Sequence, residues 1–323
     1  MHLLLKPGTW PKAWIKLQQQ KPAAPVCALA VCSRPQSFWP WMRRRQNGTF
    51  LQDVFYCRPQ CLETALIGQL SRLRILSPSP QPPNRIPLGL LMVARGKLTY
   101  VEVRAALEAQ RRARYGKIGE WIEKLGFATE QEVTSALAVQ WGCPVAASFE
   151  PTSTPFVGDI PLPILDAFQM LPFNYVASSN TLYLAFGERV DHAALFAIEK
   201  ILGCRTQPGV AGRKIIARQL EAMRQLPRPS EVEFGPIKDL AEMAHIAASY
   251  TSRLVPHKVR LVRVGAFIWL RLDARANSLS DVTNLVFRLS ADDGRAVYGA
   301  PPFRDLDLAA ITTVAPWQRS DPR

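Results

Sequence analysis

One motif is written twice in this chain at a constant offset, so that Gly89 recurs as Gly119 and Gln110 as Gln140. That repeat constrains the fold more than any other feature. The first copy runs Pro87-Leu88-Gly89 through Gly96, Thr99, Glu102, Val103, Ala106, Leu107 and Gln110. The second runs Lys117-Ile118-Gly119 through Gly126, Thr129, Glu132, Val133, Ala136, Leu137 and Gln140. Each copy predicts a short helix, Leu88–Arg95 or Ile118–Leu125, stopped at a glycine that takes the left-handed conformation without steric cost. A Thr-x-x-Glu capping box then starts a second helix. On that helix Val103, Ala106, Leu107 and Gln110 fall at i, i+3, i+4 and i+7, on one face, and Val133, Ala136, Leu137 and Gln140 do the same.

A glutamine closing an apolar stripe in both copies needs a hydrogen-bond partner. Either it caps a neighbouring backbone group of a helical-hairpin repeat, or it faces a ligand. In the second case Leu88, Ile118, Leu107 and Leu137 would cover flat rings, and Gly89 and Gly119 would let backbone approach closely.

Both copies resemble the repeated motif of the N-terminal domain of type II secretion and type IV pilus assembly ATPases, the MshEN-type domain. The resemblance extends through Trp141-Gly142-Cys143-Pro144, a helix-then-strand segment at Pro161–Phe173 and a strand at Thr181–Phe186. It continues through a helix capped by Asp191 and ending at Leu202-Gly203, a strand end at Pro208–Ala211 and a last helix from Arg213, covering about 85–222. It implies that the tandem motif binds the second messenger cyclic di-GMP. The implied contacts are Leu88, Gly89, Val103, Leu107 and Gln110 in one copy, and Lys117, Ile118, Gly119, Val133, Leu137 and Gln140 in the other. Where the family has Arg, this chain has Pro87 (with Arg85 two residues earlier) and Lys117. Lysine supplies charge but not a planar fork. The family's motor is missing: no Gly-x-x-x-x-Gly-Lys-Ser/Thr loop occurs, since Gly96-Lys97 and Gly116-Lys117 lack both the preceding Gly and the following hydroxyl.

Four of the six cysteines fall before the repeat, as Cys27-x4-Cys32 and Cys57-x3-Cys61. Closely spaced pairs of thiolates let two turns converge on one structural Zn²⁺. The second pair runs into a helical stretch to about Ile75 and resembles the C-terminal half of a treble-clef zinc module. Scattered thiols are the other reading. Cys143 and Cys204 read as small buried hydrophobes.

Residues 1–85 hold 12 basic and 2 acidic side chains, so they carry +10 of the net charge of +14. Arg43-Arg44-Arg45, beside Trp39 and Trp41, is a solvated charge run or a contact to nucleic acid or acidic lipid. No apolar run reaches the ~18–20 residues of a membrane span, and Met1–Lys21 lacks the apolar core of a signal peptide. A cytoplasmic chain is expected. The four histidines are scattered, and Asp292-Asp293-Gly294 reads as a turn rather than a carboxylate pair. No catalytic motif appears, and nothing argues for an enzyme.

The expected fold class is α+β: a tandem helical-hairpin repeat followed by a small ββαβα subdomain, with a separate small α+β C-terminal module and a short Cys-rich N-terminal module. The expected divisions are a disordered 1–26, a Cys-rich 27–76, a Pro-rich linker 77–84, the repeat-bearing domain 85–226, a linker 227–235, a module 236–315 and a tail 316–323. In the last module a helix about Ile237–Arg253 is expected, with strands Lys258–Val264, Phe267–Leu272 and Val282–Leu289. The leading function is a non-catalytic cytoplasmic regulator or adaptor of secretion or pilus machinery, with a protein partner there and cyclic di-GMP as ligand. The alternative is a zinc- and Arg-dependent nucleic-acid-binding protein whose centre is structural.

Overall fold

The computed structural model describes residues 25–32, 48–75, 85–146, 156, 158–274 and 282–290, and among them the chain is α+β with two sheets. The expected disorder of 1–24, Arg43–Arg45, the linker 77–84, Asp292–Gly294 and the tail 316–323 lie outside the described residues.

The chain opens with a short hairpin, β1 (Thr49–Leu51) and β2 (Val54–Tyr56). Its two-residue turn, Gln52-Asp53, has positive φ at both positions, 48° and 71°. That is the twist that suits a tight hairpin. Helix α1 (Pro59–Ile75) follows. The two copies of the repeat give four helices: α2 (Leu88–Ala94), α3 (Tyr100–Ala113), α4 (Ile118–Lys124) and α5 (Glu130–Trp141). Both Thr-x-x-Glu boxes form: Thr99 and Thr129 accept from the Glu102 and Glu132 amides, and the two carboxylates accept from the threonine amides. The first helix of each copy ends at a left-handed glycine, Gly96 (φ 66°) or Gly126 (φ 73°). This is the stop that the sequence predicts.

Next come α6 (Leu162–Phe168), β3 (Met170–Val176), β4 (Thr181–Phe186), α7 (His192–Leu202), β5 (Arg205–Val210) and α8 (Arg213–Arg224). Strand β4 is central, antiparallel to β3 and parallel to β5. Asp191 caps α7 by accepting from the Ala193 and Ala194 amides at 3.0 Å. The last stretch is β6 (Ser230–Ile237), α9 (Leu240–Leu254), β7 (Lys258–Val264), β8 (Phe267–Asp273) and β9 (Val282–Leu289).

Two expectations are revised here. Residues 230–237 form a strand, not linker, because β6 pairs in parallel with β9 along its whole length. The Cys-rich segment and the C-terminal segment are not separate modules. They share one six-stranded sheet in the order β2-β1-β7-β8-β9-β6, in which Phe50 and Leu51 pair with Lys258 and Val259.

That sheet is covered on both faces. Val259, Leu261, Ile268, Leu270, Leu285 and Phe287 pack against α1 and α9, which contribute Leu62, Leu66, Leu70, Met243, Ala244 and Ala247. The alternate residues, Val262, Val264, Phe267, Trp269 and Val286, join the core of the β3-β4-β5 subdomain with Leu195, Ile198 and Ile201 of α7. Period-two alternation thus feeds two different cores. Between the layers lies a buried polar strip: Trp269 Nε1 donates to Asn284 Oδ1 at 2.9 Å, and Arg271 pairs with Asp159 Oδ1 at 3.1 Å and Asp273 Oδ1 at 2.9 Å.

Candidate ligand repeat and metal centre

The repeat helices interlock across copies. Leu88, Met92, Val103, Ala106, Ile122, Val133 and Ala136 form a small core of their own, with Leu107, Ile118 and Leu137 half-buried against it. Gly89 and Gly119 are notches for neighbouring side chains. A Cβ on Gly89 would sit 2.8 Å from Val103 Cγ1, and one on Gly119 would sit 3.1 Å from Val133 Cγ1. In both copies the small residue therefore lets the second helix close onto the first.

The two glutamines have equivalent partners. Gln110 Nε2 donates to the Gly116 carbonyl at 2.9 Å, and Gln140 Nε2 donates to the Ile86 carbonyl at 2.7 Å. Each closing glutamine thus holds the residue immediately ahead of the other copy. The structure places both in the backbone-capping role that the sequence allows.

The two openings are chemically alike but not identical. At the first, the Arg85 guanidinium lies 3.7 Å from the centroid of the Trp141 ring, within cation–π range. Arg85 Nη1 also donates to the Gln140 carbonyl at 2.8 Å. Arg85 Nε and Trp141 Nε1 are buried there with no hydrogen-bond partner among the described residues. At the second, Tyr115 and Trp121 are 5.7 Å apart, and the Lys124 ammonium lies over both rings at 5.3 and 4.9 Å. Lys117 opens this copy and pairs with Glu188, while Arg213 bridges Glu120 and Glu188. Partial desolvation, then the Arg213 charge, push the Lys117 pKa down, and Glu120 opposes them. Arg213 and Glu188 were not legible as site residues, because they lie far along the chain on the β3-β4-β5 subdomain. Arg85 and Trp141 flank the motif and carry the needed aromatic and cationic chemistry, so they could have been found.

A second constellation forms in the N-terminal segment. Cys27 and Cys32 lie on a short loop tied to the hairpin by the Ala28 amide, which donates to the Phe55 carbonyl at 3.0 Å. Cys57 follows β2 and Cys61 sits in the first turn of α1. The four Sγ atoms all lie within 4.8 Å of one another, with Cys32–Cys57 at 3.5 Å and Cys32–Cys61 at 3.9 Å. Four thiolates at Zn–S distances of about 2.3 Å on a tetrahedron have S···S separations of about 3.8 Å, so the donor set fits that ion. Burial, then hydrogen bonding from neighbouring thiols, pushes the Cys57 pKa up to about 11 and the Cys61 pKa up to about 12. Without a metal these groups hold their protons.

The other singled-out residues are dispersed. Cys204 is buried and Cys143 half-buried, with burial raising both pKa values, Cys204 to about 11. His245 is exposed on α9, with Nδ1 3.1 Å from Glu63 of α1. Among the described residues no helix is long and apolar enough to cross a membrane.

No family model matches the chain, and no curated protein matches it. Among solved structures, MshE with cdg is similar over 43% of this chain and 99% of that one, at 24% identity and a TM-score of 0.34. The N-terminal domain of XpsE is similar over 42% of this chain and 91% of that one, at 19% identity and a TM-score of 0.33.

Proposed function

We propose that the chain is a non-catalytic regulator or adaptor of the secretion and pilus-assembly kind, and that its tandem repeat takes cyclic di-GMP. The observation that carries this reading is the pair of chemically similar openings. Cyclic di-GMP has two identical halves, each with a flat guanine and one phosphodiester charge. The repeat offers two like sites, each joining a glutamine-held backbone turn to an aromatic ring and a cation. Trp141 and Trp121 supply faces on which a base stacks, while Arg85, Lys117 and Lys124 supply charge for the phosphates. Lys117 would exchange Glu188 for the ligand.

The test is calorimetric titration of the full chain with cyclic di-GMP, with GMP as the half-ligand control. One cyclic dinucleotide per repeat is expected, with GMP far weaker. Lys117→Ala should weaken the complex by about tenfold or more, on the scale of ~1.5–3 kcal/mol for a hydrogen bond to a charged group, and Gln140→Ala should weaken it by releasing the Ile86 turn. No heat at high micromolar cyclic di-GMP overturns the ligand and leaves the repeat as a docking scaffold for a protein partner.

A further inference from the structure

The hairpin β1–β2 is too small to stand alone. It has two strands of three residues each, and isolated two-stranded hairpins are marginal at best in water. Yet this hairpin forms the edge of the large sheet. The Phe50 amide donates to the His257 carbonyl at 3.2 Å, and the Gln52 amide donates to the Val259 carbonyl at 2.9 Å. Side chains add Gln52 Nε2 to the Leu261 carbonyl at 2.7 Å and Lys258 Nζ to Asp53 Oδ1 at 2.6 Å. Of the hairpin, Leu51 and in part Tyr56 reach the large core, while the apolar group around the cysteines is small, with Phe55, Cys57 and Cys61 as its buried members.

The four thiols supply what the apolar contacts lack. They come from two separated pieces of backbone: the loop 27–32, and residues 57–61, which run from the end of β2 into the first turn of α1. We propose that Cys27, Cys32, Cys57 and Cys61 bind one zinc-type divalent ion, and that this ion fastens the hairpin as the edge of the C-terminal sheet. The sulfur separations of 3.5 and 3.9 Å match a tetrahedral thiolate shell. A four-thiolate zinc centre carries −2, and Arg58, the residue after Cys57, keeps a buried Nε with no hydrogen-bond partner among the described residues. The helix dipole adds positive potential at Cys61, in the first turn of α1. Binding moves no electrons. One divalent ion enters, four S–H bonds ionise, four metal–sulfur bonds form, and four protons leave to solvent. Because a site drawn from two segments so far apart in sequence does not exist in the unfolded chain, the binding energy becomes folding energy for this region.

The test uses the full chain, purified without chelator and then reconstituted with Zn²⁺. Elemental analysis should give one zinc per chain, and native thiol titration should spare four of the six cysteines until chelator is added. Exchange for Co²⁺ should give the visible bands of a tetrahedral thiolate centre, which report the ligand set without relying on a variant. Hydrogen exchange should then show the Phe50 and Gln52 amides protected with metal and unprotected after chelation, while the β8–β9 amides stay protected. Cys61→Ser should lose the metal; if that variant does not fold, chelation of the unaltered chain still reads the same outcome. Less than about a tenth of an equivalent of metal after reconstitution overturns the site. So does recovery of disulfides in place of thiols. Unchanged protection of Phe50 and Gln52 after metal removal overturns the fastening role. None of these readings depends on the cyclic dinucleotide.

Discussion

Arg271 is 7% exposed and lies between two cores, where Asp159 and Asp273 meet its charge. A charge so buried is tolerated only when it is paired. Asp273 has a second cation, with Arg260 Nη2 at 2.6 Å, whereas Asp159 is itself 5% exposed and depends on Arg271 for its ion pair among the described residues. Arg271→Leu should therefore cost about 3–5 kcal/mol, because it strips the buried Asp159 of its direct ion pair and leaves only the more distant Arg228 charge to face it. Replacing Asp159 by Leu as well should recover most of that loss, since a buried pair exchanged for apolar groups is often near neutral. Urea unfolding of the two variants checks both halves. Equal losses in the single and double variants would mean that Asp159 is not the group left stranded.

The capping boxes give the element scale its own pH dependence. The Thr99 and Thr129 amides donate to Glu102 and Glu132 and hold both carboxyls below their ordinary pKa of 4.5, with the Lys97 pair adding to Glu132. A depressed carboxyl pKa gives stability that is complete above the unfolded-state value and is lost as pH falls through the folded one. Glu102→Gln with Glu132→Gln keeps an acceptor oxygen at N3 but removes the titration. The doubly substituted chain should therefore lose less stability than the unaltered chain on going below pH ~4.5, read as a shallower acid limb in urea midpoints. Equal slopes would remove the boxes from the acid response. These elements were legible in the sequence because every signal is local: Thr99 and Glu102 are three residues apart, and Gly96 stops the helix that precedes them. Strands β7, β8 and β9 were legible for the same reason, from apolar runs and the Gly265-Ala266 turn. Strand β6 was not. Its Glu231, Glu233, Gly235 and Pro236 read as coil, and it is a strand only because β9 supplies partners, with a register shift at Pro236. Proline has no amide to donate to the ladder there. The candidate sites divide the same way. The cysteine spacing announced its convergence, whereas the Lys117–Glu188–Arg213 cluster depends on subdomain contacts that no local pattern encodes.

At the scale of the molecule, the first and last thirds of the chain build one sheet around an insertion, and their contact spans 209 positions at Gln52 and Leu261. Contacts so distant are slow to form, because loop closure precedes the gain in packing. Once formed, they make α1 a structural half of the C-terminal core: Leu66 is 0% exposed and packs with Leu62, Leu70, Met243 and Ala247 beneath β7 and β8. Leu66→Ala should therefore cost about 2–5 kcal/mol through lost burial and the cavity it leaves. The informative readout is where that loss appears. If α1 and the sheet open as one unit, the amides of Lys258–Val264 and Phe267–Asp273 should lose about 30- to several-thousand-fold in exchange protection, the same energy expressed as an opening equilibrium. If α1 is an appendage, only the amides of Pro59–Ile75 should change. The shared core predicts the first result, because the atoms removed at Leu66 belong to the layer that the sheet strands rest on.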